Sequence, residues 1–271
     1  MARAFDPGYC DPRFADLCET APDGATYPPT DFRVEWGPIF HRGRLDGTAR
    51  VLVIGQDPAA HETFCRRILC GEAGRRVQGL LAKLGITRSY VMINASLYSW
   101  LKGDEMPFMA RPGITAYRNR WIDAIRATAD IRAVLLLGDA AKTAWDEYAK
   151  AARPPAGLTV RTVIHPTEPH KDAQGNPATE AKLVTRMLED WNQAVAAVRP
   201  RLDGVRDTEA SEPAYGVKFR DGELLAIPSA DLPAGLPDWM GAEDGWALRT
   251  GPGGLRWQIT VTVPAAHRIT A

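Results

Sequence analysis

The sequence predicts an α/β fold: a three-layer α/β/α sandwich around a central, mostly parallel four-stranded sheet, with a β-rich C-terminal extension. Two observations carry this. Residues 51–54, 90–93 and 134–137 are short, wholly apolar runs, and 159–164 is rich in β-branched residues, as expected of strands covered by other elements. Between them lie segments whose apolar residues recur every three or four positions, which is helical spacing. Strands alternating with helices of this length require crossover connections and therefore a parallel sheet.

Residues 1–30 are rich in Pro, Asp and Gly and read as an irregular arm. Phe32-Arg33-Val34-Glu35-Trp36 and Ile39-Phe40-His41 suit a short strand pair or a loop. Val51-Leu52-Val53-Ile54 is the first core strand, ended by Gly55. Residues 72–84 follow as a helix, with Val77, Leu80, Leu81 and Leu84 on one face and Gly85 as its C-terminal stop. Tyr90-Val91-Met92-Ile93 is the second strand, and Tyr117, Trp121, Ala124 and Ile125 mark the next helix face. Val134-Leu135-Leu136-Leu137 is the third strand. Asp139 stands at a helix N-cap position, ahead of Ala144, Trp145 and Tyr148. The fourth strand ends at His165-Pro166, and Leu183, Met187, Trp191 and Ala194 space out a long last helix. The main domain thus runs over 31–200. In the extension, 201–271, residues 215–227 read as a hairpin turning on Asp221-Gly222, and 257–263 as a further alternating strand. This tail is expected to dock on the main domain. No internal repeat or low-complexity tract interrupts the pattern.

A chain of 271 residues, 45% hydrophobic, suits one large domain, or one of about 150–200 residues with an appended piece. No run of about 18 apolar residues exists to span a membrane, and the first residues lack the apolar core of a secretory signal. A cytoplasmic monomer is the expectation. Cys10 and Cys18 are separated by seven residues and Cys65 and Cys70 by four, neither a zinc-ribbon spacing, so isolated thiols and no metal or other cofactor are expected. Net charge is zero. Residues 201–271 hold 7 basic and 10 acidic residues, leaving an excess of 3 positive charges on 1–200, where a DNA-binding patch would lie.

Ligands of a parallel sheet bind beyond the carboxyl ends of its strands. Gln56 and Asp57, Asn94, and His165 stand at or just past such ends. Each has a structural alternative: Asp57-Pro58 suits a turn or helix cap, Asn94 can satisfy a strand end, and His165-Pro166 can be a simple turn. Their convergence on one edge favours function. An amide such as Asn94 donates and accepts together and so reads a base edge. A neutral His165 donates to an oxygen that gains charge as a base departs. Asp57 stabilises an oxocarbenium-like sugar, positions water, or both.

Those residues resemble the uracil-DNA glycosylase superfamily. Gly55-Gln56-Asp57-Pro58 resembles the family's water-activating motif, and Tyr90-Val91-Met92-Ile93-Asn94 its strand ending in the uracil-reading Asn. Cys70-Gly71-Glu72-Ala73-Gly74-Arg75 through Gly85-Ile86 is similar to a segment of the iron–sulfur branch. Leu135-Leu136-Leu137-Gly138-Asp139 and His165-Pro166-Thr167 resemble further motifs, the last preceding a minor-groove loop. These matches run in order over about 49–195. The resemblance implies an atypical bacterial member: a monofunctional glycosylase that releases uracil from DNA, with Asp57 and His165 catalytic and Gln56 and Asn94 at the base.

The departures sharpen the expectation. Ala59 stands where the best-known branch has a Tyr that blocks thymine's methyl group. Leu69 stands where the iron–sulfur branch stacks a Phe on uracil, with Phe64 a substitute from nearby. That branch's cysteine pattern is absent, so no cluster is expected. Residues 95–116 hold no His, which argues against covalent capture of the abasic sugar. Arg66, Arg67, Arg75 and Arg76 form a basic cluster able to meet phosphates or to be a solvated helix face. His170 and Lys171 occupy the loop corresponding to the minor-groove wedge. A deaminated purine such as hypoxanthine as substrate, and a non-catalytic DNA- or nucleotide-binding role, remain as alternatives.

Overall fold

The computed structural model describes residues 11–101, 106–152 and 154–268. In order, the regular elements are α1 (Pro12–Glu19), β1 (Arg42–Gly43), β2 (Val51–Gly55), α2 (Ala60–Cys65), α3 (Glu72–Lys83), β3 (Tyr90–Asn94), α4 (Met106–Met109), α5 (Pro112–Thr128), β4 (Ala133–Leu137), α6 (Gly138–Ala152), β5 (Thr159–Val163), α7 (Glu168–Ala173), α8 (Pro177–Val198), α9 (Trp239–Ala242), β6 (Ala247–Thr250) and β7 (Gln258–Val261). No helix among the described residues is long and apolar enough to cross a membrane.

The main sheet has five strands in the order β1-β3-β2-β4-β5. The four expected strands are all parallel, and their registers align Gly55 with Asn94, Ile54 with Leu136, and Leu137 with Val163. The fifth, β1, is a two-residue antiparallel edge on β3. β2, β3 and β4 are buried along their whole length, whereas the edge strand β5 is partly exposed. Covering on both faces is what selects unbroken apolar runs in the three central strands. After β3 the chain crosses over β2 to form β4, so a crevice opens at the carboxyl edge, where the sheet order reverses.

The structure corrects several expectations. The arm is not wholly irregular. The Asp11 side chain accepts the Arg13 backbone N–H, Pro12 sits at the start, and α1 buries Phe14 and Leu17 three residues apart. Of the two readings of residues 32–41, a strand pair or a loop, the loop is the one that forms. Val34–Trp36 is a single 3-10 turn, and the edge pairing falls one residue later, on β1. α6 begins at Gly138, which puts Asp139 in the first turn instead of at the cap, still favourable to the helix dipole. Residues 215–227 make no hairpin: Asp221-Gly222 is a tight turn closed by a hydrogen bond from the Glu223 N–H to the Arg220 carbonyl. The strand expected in 257–263 is β7, and it pairs with β6. Alternation alone names a strand without naming its partner.

The C-terminal segment shares buried surface with the sheet domain. Ile227, Leu232, Trp246 and Ala247 form one apolar cluster with Ala60, Cys65 and Cys70 of the α2 region. Asp231 is buried between Arg42 and Arg44 and accepts the Tyr90 hydroxyl. Cys18, Cys65 and Cys70 are free thiols, and Cys10 lies outside the described residues.

Candidate active site

The carboxyl edge of the sheet opens into a cavity of about 680 Å³. β2 delivers Gln56 and Asp57 to it, β3 delivers Asn94, β4 ends there at Gly138, and His165 arrives two residues past β5. Backbone bonds fix the first two walls against each other. The Ala95 N–H donates to the Gly55 carbonyl (2.9 Å) and the Ser96 N–H to the Gln56 carbonyl (3.0 Å). The Trp100 N–H donates to Asp57 Oδ2 at 2.9 Å, which orients the carboxylate.

Asn94 is buried, 7% exposed, and its Nδ2 has no hydrogen-bond partner. A buried amide donor left unpaired costs about 1–3 kcal/mol, which an acceptor on a ligand would offset. Gly55 is required beside it, because a Cβ there would stand 2.4 Å from Asn94 Oδ1.

His165 is held in a defined tautomer. The Thr167 backbone N–H (3.3 Å) and hydroxyl (3.1 Å) both meet Nδ1. An N–H can only donate, so Nδ1 is the unprotonated nitrogen and Nε2 carries the hydrogen. Burial, with a smaller contribution from the Lys171 ammonium, pushes this imidazole down to about 4. At neutral pH His165 is therefore an uncharged donor.

Glu62 is a wall residue that the sequence reading leaves out. It is 5% exposed and lies at the third position of α2. One carboxylate oxygen accepts the Ala59 N–H and the other the Leu69 N–H, at 2.7 Å. It thus fixes Ala59 and Leu69, which both line the cavity. Burial raises it to about 7, despite the two amide donors, and the Asp57 carboxylate adds to the rise. A Glu three residues into a helix is half of a capping box, the one signal that points to it in the sequence. Leu69 itself is left-handed, φ 55°, and its carbonyl presses on Gly74, where a Cβ would stand 1.6 Å away. That contact explains the small residue at position 74.

The sequence-derived set divides. Gln56, Asp57, Ala59, Leu69, Asn94, His165 and Lys171 line the cavity together. Phe64 does not line it; it is 42% exposed and packs edge-on against Trp246. Arg66 caps α2 and donates to the Trp36 and Pro38 carbonyls, while Arg67 is buried and donates to the Arg66 carbonyl. Arg75 pairs with Asp244, and Arg76 bonds Glu72 and the Pro166 carbonyl. The expected basic cluster is thus spent on holding loops and the C-terminal segment. His170 and Lys171 lie on the helix α7 and not in the expected loop, and His170 is exposed and meets Glu180 Oε1 at 3.3 Å. The cavity's remaining cation is Arg249, from β6, which no motif marks.

Residues 42–192 match the profile of the uracil DNA glycosylase superfamily. The chain belongs to this superfamily. It is a DNA glycosylase by family, an enzyme of base excision repair whose substrate is DNA. No curated protein matches the chain. Every residue lining the glycosylase cavity falls inside the matched span except Arg249. Among the described residues no cluster of His, Cys, Asp or Glu is arranged to hold a metal ion.

Proposed function

We propose that this glycosylase is monofunctional and hydrolyses the N-glycosidic bond of deoxyuridine in DNA, releasing uracil. The observation that carries the reading is Asn94, a buried side chain with an unpaired Nδ2, on the wall of the same cavity as Asp57 and the neutral His165. A flipped uracil supplies a carbonyl acceptor for that donor. As the glycosidic bond breaks, negative charge develops on the base and positive charge on the sugar. The Nε2–H of a neutral imidazole stabilises the first, in the manner of an oxyanion donor. The Asp57 carboxylate, oriented by the Trp100 N–H, stabilises the second and orients the attacking water. Gln56 adds its backbone at the pocket floor. Lys171, on the helix after the His165 loop, lines the cavity and offers a cation to the approaching strand.

The test uses uracil-containing oligonucleotides, single- and double-stranded, with alkaline cleavage of abasic products. Strand cleavage at uracil is expected, with a loss of about 100-fold or more in Asp57→Asn and His165→Ala. No cleavage in any uracil context sinks the reading. A second reading, excision of hypoxanthine, is favoured by one observation: Ala59 is exposed, which leaves that wall open to a larger base. An inosine oligonucleotide decides it.

A further inference from the structure

We propose that Arg249 binds a phosphate of the DNA strand at the cavity mouth, which makes the C-terminal β6–β7 hairpin a wall of the substrate site. The inference rests on reading the cavity as a DNA site. Its first support is charge. Asp57, Glu62, Asp139, Glu168 and Asp172 line the cavity against two cations, Lys171 and Arg249. A polyanionic strand reaches such a surface only where cations offset the carboxylates.

The second support is how Arg249 is held. Its Nη2 donates to the Pro58 carbonyl at 3.1 Å and to Ser99 Oγ, on the two loops that carry Asp57 and follow Asn94. Its guanidinium lies 5.5 Å from the centre of the Trp36 ring, and that of Arg33 lies 4.6 Å from the same ring. Two like charges are thus gathered around one indole. Arg33 is committed to the hairpin, donating to the Leu255 and Arg256 carbonyls.

The third support is what Arg249 lacks. Arg42, Arg44, Arg75 and Arg76 are each paired with a carboxylate. Among the described residues Arg249 forms no ion pair, and its Nε is buried without a hydrogen-bond partner. Its charge is felt by the Glu62 carboxylate across the cavity wall, but no carboxylate among those residues closes an ion pair on it, so the guanidinium remains able to take an incoming anion. With Nη2 held by Pro58 and Ser99, its Nη1 is the group left to donate to a phosphate oxygen.

The experiment measures binding of a uracil-containing single-stranded oligonucleotide by fluorescence anisotropy across a salt series, for the full chain and its variants. Arg249→Gln retains a donor for Pro58 and Ser99 but removes the charge, so it keeps the hairpin docked. It should weaken binding about 10-fold and reduce the slope of log affinity against log salt by roughly 0.7, one phosphate contact on a single strand. Arg249→Lys should restore most of that slope. Arg201→Ala, an exposed arginine outside the cavity, should change neither. Thermal unfolding of each variant separates lost binding from a loosened fold.

An unchanged slope in Arg249→Gln, with affinity within twofold, overturns the proposal. So does a fall in base release at saturating DNA with the slope intact, which would place Arg249 on the base or sugar. Absence of base release in the wild type, with the slope still reduced in Arg249→Gln, defeats the catalytic reading and leaves the phosphate contact standing. A wild type that binds no DNA overturns both.

Discussion

The Thr167 backbone N–H lies 3.3 Å from Nδ1 of His165 and fixes which ring nitrogen bears the proton. With burial pushing the imidazole down to about 4, the donor facing the cavity stays uncharged over the working range. NMR of labelled His165 should show the Nε2–H tautomer from pH 8 down to about 5, with His165→Gln used for assignment. Correspondingly, base release should show no inflection near 6.5 from this residue. A titration at the ordinary histidine value refutes the neutral-donor assignment.

Glu62 and His165 act oppositely on stability. Glu62 sits above its usual value, at about 7, so the folded state holds a proton that the unfolded chain releases. Its contribution is present below about 4.5 and is lost as pH rises through 7. His165 sits below its usual value, so its contribution is present above about 6.5 and is lost as pH falls toward 4. Between 4.5 and 6.5 the two slopes cancel. Glu62→Gln should therefore gain stability relative to wild type as pH rises from 4.5 to 7, by up to about 1.4 kcal/mol per pH unit. Urea midpoints at a series of pH values measure it, and parallel curves for the two proteins count against a titrating Glu62.

Gly55→Ala should separate activity from stability. The added methyl meets the far end of a side chain, Asn94 Oδ1, at 2.4 Å. The amide can turn aside, so the fold should lose less than about 1–2 kcal/mol. Base release should nevertheless fall about 100-fold, because a displacement near 1 Å at a reacting centre costs that much. Single-turnover kinetics beside thermal unfolding would show the split. Full activity in this variant would remove Asn94 from the base-reading role.

Asp231→Ala should be severe. Its carboxylate faces Arg42 and Arg44, all three buried, and the Tyr90 hydroxyl. Removing it strands two guanidiniums and should cost about 3–5 kcal/mol. Denaturant unfolding gives the value. A loss below 1 kcal/mol would mean that the C-terminal segment is not anchored through this residue.

The four parallel strands, the long helices α3, α5, α6 and α8, and the residues at the strand ends were legible in the chain, whereas the short helices α2 and α4 were not. Burial on both faces forces unbroken apolar runs, and parallel pairing forces the next polar residue to the same edge. That logic brings Asp57, Asn94 and His165 together without any knowledge of side-chain packing. α1 was missed, because its Asp11-Pro12 start and two buried residues, Phe14 and Leu17, are too few to outweigh a Pro- and Asp-rich composition.

Tertiary structure alone decided the rest. Arg66, Arg67 and Arg75 carry the composition of a phosphate-binding patch, and only the positions of the Trp36, Pro38 and Arg66 carbonyls and of Asp244 show that they are occupied within the protein. Glu62, which the sequence reading leaves out, shows its place only when its second oxygen is found on the Leu69 amide. Arg249 is distant in sequence from every motif and reaches the cavity because Trp246 and Asp231 dock its segment. Periodicity reports which face of an element is buried; it holds no information on which distant segment covers that face. The sequence thus determined the fold and the convergence of Asp57, Asn94 and His165, and long-range packing determined which charges remain to meet DNA.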